Sequence, residues 1–207
     1  YATIKLLNNS NNVSYIGDGT SGVYIFGAQL EQGSYPTSYI PTQGSAVTRV
    51  ADVCNQTPPS GIIGQTDGTM FLNIKRGVQI NNTQGLFGIS SASGDNRIII
   101  WNIFTLNSLG IQIKANGANI ITSQSLGVFN NGENYKIAVS YKSGEIKGYV
   151  NGLQIFNLTN TFTFTSALSE IYLNNYANNS FTEISPINEL QIYNTALSNA
   201  ELIALTQ

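Results

Sequence analysis

A run of aromatic and amide side chains at residues 172–179 is the part of the sequence best suited to binding a ligand. Aromatic rings stack on the C–H faces of sugars, and amides exchange hydrogen bonds with sugar hydroxyls. The run lies beside a predicted strand end and supplies both side-chain types. It predicts a carbohydrate site formed by Tyr172, Asn174, Asn175, Tyr176 and Asn178.

Trp101, followed by Asn102, is a second candidate for stacking on a sugar, and the triplet at residues 95–97 (Asp-Asn-Arg) is a third. A structural role is the alternative for all of these residues. Asparagine-rich tracts are common in turns, and a lone Trp in a β fold commonly packs in the core. The sequence leaves both interpretations open.

Several catalytic chemistries are excluded by composition. The chain contains no His, so a Ser-His-Asp or Cys-His nucleophile and a His-ligated zinc are ruled out. Its single cysteine, Cys54, excludes an internal disulfide and a paired-cysteine metal site. Glycosidases need two carboxylates flanking the scissile bond. The acidic residues are instead scattered singly, and we expect no enzymatic activity; they include Asp67, Asp95, Glu133, Glu145, Glu170, Glu183, Glu189 and Glu201.

The charge balance argues against two classes of partner. Only 10% of the 207 residues are charged and the net charge is −2. A basic face for nucleic acid is therefore not expected. The longest apolar runs are far too short to span a bilayer, so we expect no membrane insertion.

The elements that must position these residues are short strands. Alternation of apolar and polar residues predicts strands at 70–74, 97–104, 110–114, 135–141, 145–150, 154–158, 161–165, 170–173 and 189–193. Asn151-Gly152 is typical of a type I′ hairpin turn. Ser198 and Glu201 have the spacing of a capping box, which predicts one terminal helix. The pattern favours an all-β, antiparallel jelly-roll β-sandwich.

The chain is predicted to divide at a proline-containing segment. Residues 33–48 hold two of the five prolines and little alternation, so they read as an extended linker. Residues 1–32 carry two candidate strands, at 2–7 and 23–26. We interpret them as the closing strands of a preceding β module, because so few strands cannot bury a core alone. Residues 49–207 are long enough for a complete sandwich.

Two stretches before the sandwich resemble phage proteins. Residues 17–42, GDGTSGVYIFGAQLEQGSYPTSYIPT, look like the closing segment of a jelly-roll module that recurs in bacteriophage tail, fibre and appendage proteins. Residues 46–52, AVTRVAD, are similar to the joint that follows it there. The resemblance implies a location on the phage particle surface, in a tail or head fibre. It also implies contacts with other virion proteins and a homo-oligomeric assembly.

The sandwich region resembles laminin-G-like, concanavalin A-like domains. The strand YKIAVSY (135–141) and the turn GYVNG (148–152) are similar to the central hairpin of that family, with Asn151 in place of the usual Asp. The segment ELQIYNTALSNAEL (189–202) is similar to its last strand and helical turn. Such domains often hold one calcium ion on a rim loop, which implies Asp67 or Asp95 as a ligand; a solvated turn Asp is the alternative. No other cofactor is expected.

These observations lead to one hypothesis and three alternatives. The hypothesis is a non-enzymatic virion module that recognises a polysaccharide on the host cell surface. The first alternative is a structural or decoration domain that docks on other virion proteins. The second is a glycan-degrading enzyme, and the third is a bacterial adhesin or the carbohydrate-binding module of a larger enzyme, because the fold alone does not fix function.

Overall fold

A computed structural model describes most of the chain. It covers residues 54–56, 58–77, 84–103, 108–173 and 185–207, and short stretches before them at 10–11, 19–20, 24, 26–28, 38–41 and 44–48. The chain divides into two compact units, Tyr1–Val50 and Ala51–Gln207.

The described part of the first unit contains a packed aromatic pair. The rings of Phe26 and Tyr39 lie with their centroids 5.6 Å apart. Tyr24 and Phe26, the described positions of the strand predicted at 23–26, belong to no strand, and both side chains are exposed. The other two positions of that segment lie outside the described residues. The strand predicted at 2–7 lies outside the described residues. The boundaries of the preceding module and of the linker stay predictions.

The second unit is built from two antiparallel sheets. The six-stranded sheet has the order β1-β10-β3-β4-β5-β6 and the five-stranded sheet has the order β11-β2-β7-β8-β9. The strands are β1 (Cys54–Gln56), β2 (Asp67–Lys75), β3 (Gln84–Ser90), β4 (Arg97–Ile103), β5 (Ser108–Ala115), β6 (Ala118–Val128), β7 (Asn134–Lys142), β8 (Glu145–Val150), β9 (Leu153–Leu158), β10 (Glu170–Leu173) and β11 (Ile187–Tyr193). The predicted all-β antiparallel sandwich is confirmed.

One hydrophobic core joins the two sheets. Alternate residues of each strand point inward, as period-two alternation requires. The inward-facing set includes Ile98, Ile100, Ile111 and Ile113 from the six-stranded sheet and Leu72, Ile74, Ile137 and Val139 from the five-stranded sheet, all buried. Tyr141 is also buried in this cluster, and its hydroxyl donates to the carbonyl oxygen of Gly64 at 2.9 Å.

Within the described residues there is one helix, α1 (Asn199–Thr206), and it packs on the outward face of the five-stranded sheet. Leu202 packs with Phe71, Ala138 and Tyr149, a row of register partners on β2, β7 and β8. The helix begins at a capping box between Ser198 and Glu201, as predicted. Among the described residues, no helix has the length and apolar character needed to cross a membrane.

The hairpins of the five-stranded sheet also follow the sequence. Strands β7, β8 and β9 are consecutive and antiparallel. Asn151 and Gly152 both have positive φ, +47° and +79°, which is the backbone of a type I′ turn.

The strand predicted at 161–165 is wrong. This segment forms no ladder, because side chains bind its backbone instead. The amide nitrogen of Phe162 donates to the hydroxyl of Ser143 at 2.9 Å. The side chain of Asn116 donates to the carbonyl of Thr163 and accepts from the amide of Thr165, each at 3.0 Å. The rings at positions 162 and 164 still pack together, with centroids 4.9 Å apart, at the core.

Candidate functional site

The outward face of the six-stranded sheet brings two predicted site residues together. Tyr172 on β10 is the register partner of Gly88 on β3, and Gly88 is the partner of Ile99 on β4. Trp101 lies two residues further along β4, so it points to the same side as Ile99. The five-stranded sheet carries α1 on its outward face. We call the corresponding outward face of the six-stranded sheet the aromatic face.

The two rings stand apart on this face with small residues between them. They lie two strands apart and are offset by two residues, which places their Cα atoms about 12 Å from each other. The strand between them, β3, carries Gly85 and Gly88 at the register positions of Trp101 and Ile99. Both aromatic side chains are half-buried, while Gly88 and Ile99 are buried. The floor between the two rings is therefore formed by the two glycines and by the side chain of Ile99, which lies beside Gly88.

The indole nitrogen of Trp101 is a polar atom in a buried position. Nε1 has no hydrogen-bond partner among the described residues. A buried donor without a partner costs free energy, and such donors are rare in folded proteins. The remainder of the indole is half-buried, so the ring combines a partly accessible apolar surface with an unused donor.

Polar side chains of β4 and β5 lie on the same face as the two rings. The Nε of Arg97 donates to the side-chain oxygen of Gln112 at 2.8 Å, across the β4–β5 pair, and a terminal nitrogen of Arg97 donates to the carbonyl of Gly94 at 3.2 Å. Burial lowers the pKa of the Arg97 guanidinium, while the nearby carboxylate of Asp95 opposes this shift. Lys114 is the register partner of Arg97 and adds a second cation to the same face.

Glu170 sets the position of the Tyr172 ring. The tyrosine hydroxyl donates to a carboxylate oxygen of Glu170, which lies two residues earlier on the same side of β10. Partial burial raises the pKa of Tyr172, and this hydrogen bond raises it further. The phenol therefore stays protonated at neutral pH and presents an uncharged ring.

Asn96, in the triplet at residues 95–97, and Asn102, which follows Trp101, both have structural roles. Asn96 is buried, and its side chain accepts from the amide of Asn116 at 2.7 Å and donates to the carbonyl of Ser166 at 3.3 Å. Asn102 is buried on the core side of β4 and accepts from Arg76 at 2.7 Å. The predicted residues Asn174, Asn175, Tyr176 and Asn178 lie outside the described residues.

The carboxylate of Asp67 is engaged by the protein's own donors, and the calcium site expected at Asp67 or Asp95 stays a prediction. One carboxylate oxygen of Asp67 accepts from the hydroxyl of Thr66 at 2.9 Å and the other accepts from the amide of Ala196 at 3.0 Å. These bonds, the second more than the first, lower the pKa of Asp67. Calcium takes six to eight oxygen ligands. Within the part of the chain that the structure describes, no group of three or more His, Cys, Asp or Glu side chains could hold a metal.

Sequence reasoning singled out Arg97, within the triplet at residues 95–97, but missed Gln112 and Lys114, which lie beside it on β5. The alternation of β4 places Arg97 and Trp101 on one side, and that of β5 places Gln112 and Lys114 on one side. The register that brings both pairs to one face is not readable from either strand alone. The signal that was available is the pair of glycines on β3, which mark a close approach in a strand interior.

Comparisons with known proteins agree with this architecture. The family Laminin_G_3, described as the concanavalin A-like lectin/glucanases superfamily, matches residues 54–203. No curated protein matches the chain.

Solved structures with this fold include three from sialidases. The carbohydrate-binding module CBM40 of the Ruminococcus gnavus IT-sialidase, bound to α2,3-sialyllactose, has a TM-score of 0.55 and 17% identity over 70% of this chain and 84% of that chain. The NanB sialidase of Streptococcus pneumoniae has a TM-score of 0.56 and 20% identity, and the match covers 70% of this chain and 25% of that chain. The leech intramolecular trans-sialidase has a TM-score of 0.57 and 18% identity, and the match covers 74% of this chain and 26% of that chain.

The match thus spans about a quarter of each of these two sialidase chains, and at these identities the likeness shows the fold alone. The family match covers most of the sandwich unit, from β1 into α1. This chain belongs to the Laminin_G_3 family of the concanavalin A-like lectin/glucanases superfamily.

Proposed function

We propose that the protein is a non-enzymatic carbohydrate-binding module and that its aromatic face contacts the sugar. The observation that carries the proposal is the placement of Trp101 and Tyr172 on one outward face, above the glycines of β3. Sugars bind by stacking their C–H faces on aromatic rings and by hydrogen bonds to polar side chains. Arg97, Gln112 and Glu170 supply those hydrogen-bonding groups beside the rings.

The distribution of carboxylates supports a binding role rather than hydrolysis. On the aromatic face, Glu170 is the carboxylate that the described strands supply, and it is engaged with Tyr172. Elsewhere, Glu145 forms an ion pair with Lys147 at 2.8 Å and Glu201 caps α1. Glycoside hydrolysis needs two carboxyl groups about 5–10 Å apart across the sugar. The described strands supply one carboxyl group on the aromatic face, not two.

The proposed setting is the surface of a phage particle, where the module would recognise a host polysaccharide. The support is the resemblance of residues 17–52 to phage tail, fibre and appendage proteins. The fold similarity to a CBM40 module bound to sialyllactose supports binding of a glycan as the general class of ligand. Single sites of this kind bind weakly, and display on a homo-oligomer would raise the avidity.

A glycan array of bacterial capsular and lipopolysaccharide fragments, followed by calorimetric titration, tests the proposal. Trp101→Ala and Tyr172→Ala should each weaken binding at least tenfold. Tyr24→Ala removes a fully exposed tyrosine from the first unit and is the matched control, which should bind like the wild type. Circular dichroism establishes that each variant is folded. An array without signal, or full affinity in both aromatic-face variants, would overturn the proposal.

A structural role in assembly is a second candidate, favoured by one outer strand. β9 is at the edge of the five-stranded sheet, and its Leu153 and Ile155 are 68% and 41% exposed. Exposed apolar edge strands pair readily with another chain. Analytical ultracentrifugation should then show an oligomer that Leu153→Lys dissociates. A monomer at all accessible concentrations would exclude this role for β9.

A further inference from the structure

The outward face of the five-stranded sheet is only partly covered by α1. Leu202 covers the row of Phe71, Ala138 and Tyr149. Where the helix ends at Thr206, the same face continues as a groove of about 540 Å³. That volume is in the range of sites for small ligands, about 300–1,000 Å³.

Amide side chains dominate the lining of this groove. They come from separate elements that the sheet register brings together. Asn73 on β2 is the register partner of Lys136 on β7, and Asn134 is at the start of β7. Asn188 falls at the β-bulge between Ile187 and Glu189 of β11. We call this pocket the amide groove; it is also lined by Tyr135, Asn151, Thr206 and Gln207.

The walls of the amide groove are held by hydrogen bonds. The amide of Gly152 donates to the hydroxyl of Thr206 at 3.0 Å, which ties the end of α1 to the β8–β9 turn. The amide of Lys136 donates to Oδ1 of Asn151 at 2.9 Å, and the amide of Asn151 donates back to the carbonyl of Lys136 at 2.9 Å. The groove is therefore shaped before any ligand arrives, which reduces the entropy cost of binding.

Two amides form the polar centre of the groove. Nδ2 of Asn188 donates to Oδ1 of Asn73 at 3.4 Å. Each carboxamide has two donor hydrogens and one acceptor oxygen. Among the described residues, the Nδ2 hydrogens of Asn73 and the Oδ1 atom of Asn188 are left for other partners. A donor group and an acceptor atom side by side match the vicinal hydroxyls of a sugar ring, since each hydroxyl both donates and accepts.

The charge of the groove favours an uncharged ligand. Its one cation, Lys136, donates through Nζ to the backbone carbonyl oxygen of Gln207. No Asp or Glu side chain is among the described residues that line the groove. With its cation engaged at the end of α1, the groove offers mainly neutral donors and acceptors.

We propose that the amide groove is a second saccharide-binding site, specific for uncharged sugar units, on the sheet opposite the aromatic face. This proposal does not depend on the aromatic face, because the two sites share no residue. A module with a site on each sheet could hold two segments of one polysaccharide, or two chains, at once. The second contact would raise avidity without any new interaction at the first.

Side-chain NMR tests the proposal on the full chain. A ¹⁵N-labelled Trp101→Ala variant removes the aromatic-face contribution and is titrated with uncharged oligosaccharides of glucose, galactose and N-acetylhexosamines. At least one of them should shift the side-chain NH₂ signals of Asn73 and Asn188 saturably. Asn188→Ala should weaken that binding at least fivefold. The matched control is Asn157→Ala, an exposed asparagine on β9 outside the groove, and it should have no effect.

The outcomes separate this proposal from the first one. If both amide signals remain unmoved by every uncharged sugar at millimolar concentration, or if the Asn73 signal moves equally in Asn188→Ala, the amide groove is not a saccharide site. Shifts produced only by carboxylated or sulfated sugars would overturn the assignment to uncharged ligands. The Asn73 side chain is half-buried, so the Asn73→Ala variant is included in the titrations only if its spectrum shows the native fold. Failure here leaves binding at the aromatic face intact, and the reverse also holds.

Discussion

Docking of α1 on the five-stranded sheet can be tested by replacing one side chain. Leu202 has no exposed surface and packs on Phe71, Ala138 and Tyr149. Leu202→Ala removes three carbon atoms, which at about 0.8 kcal/mol each corresponds to about 2.4 kcal/mol of lost transfer free energy. The residual cavity adds to this cost, and measured Leu→Ala changes at buried sites reach about 3–5 kcal/mol. We expect the free energy of unfolding to fall by about 3 kcal/mol.

Urea denaturation followed by tryptophan fluorescence is the appropriate assay. Trp101 is the only tryptophan of the chain and lies in the sandwich unit, so its signal reports that unit. Ile203→Ala is the matched control, because Ile203 follows Leu202 in the same helix and is 36% exposed. Alanine has the higher helix propensity, so the control should change stability by less than about 1 kcal/mol.

The comparison of these two variants decides whether the helix is docked. Equal unfolding free energies for the Leu202 and Ile203 variants would refute the packing of α1 on the sheet. The same result would remove one wall of the amide groove. Binding of uncharged sugars there should weaken in Leu202→Ala, whereas binding at the aromatic face should persist in the folded protein.

Two further predictions concern the segment that leads into β2. A Cβ at position 64 would lie 1.7 Å from the carbonyl oxygen of Asp67, whereas a Cβ at position 88 would have its nearest neighbour at 3.4 Å. Gly64→Ala should therefore lower the midpoint of thermal unfolding far more than Gly88→Ala. Equal midpoints for the two variants would contradict this geometry. Hydrogen bonds from Ala196 and Thr66 lower the pKa of Asp67 below its ordinary value of 3.8, so its stabilising contribution is complete above that value and is lost as the pH falls through the lowered pKa. Urea midpoints measured from about pH 5 to pH 2 should show the advantage of the wild type over Asp67→Asn shrinking as the pH falls, and a constant difference would contradict the assignment.

The five-stranded sheet and its helix could be predicted well because local signals determine them. Asn151-Gly152 specifies its turn through two positive φ angles, and Ser198 with Glu201 specifies the start of α1. The strands beside these signals alternate cleanly, so their buried faces follow from the sequence. Local propensity and tertiary packing agree in this half of the fold, which is why sequence reasoning succeeds there.

The six-stranded sheet was harder to predict because several of its strands lack such signals. β3 (QGLFGIS) contains two glycines, and β6 (ANIITSQSLGV) mixes polar and apolar residues without regular alternation and pairs with β5 through three register shifts. Both were missed, as was the three-residue β1. The segment at 161–165 has the alternation of a strand, but the side chain of Asn116, more than forty residues away, binds its backbone. Such non-local hydrogen bonds leave no trace in a local pattern.

In the candidate site, too, residue types could be predicted from the sequence but the pairing of the strands could not. Tyr172 and Trp101 could be singled out by residue type, because aromatic rings are needed for stacking on sugars. Their common face depends on the pairing of β10 with β3, which is distant from it in sequence, and of β3 with β4. The amide groove was not predicted at all, since it joins β2, β7, β11 and the end of α1.

The most direct test of the central claim uses the indole of Trp101. A ¹H–¹⁵N spectrum contains one indole signal, because the chain has one tryptophan, and Nε1 has no hydrogen-bond partner among the described residues. The wild-type protein is titrated with the strongest glycan from the array, and the same titration is followed by calorimetry. The indole signal should shift saturably, with the dissociation constant that calorimetry gives. Calorimetric binding that leaves the indole signal unmoved would contradict a sugar site on the aromatic face.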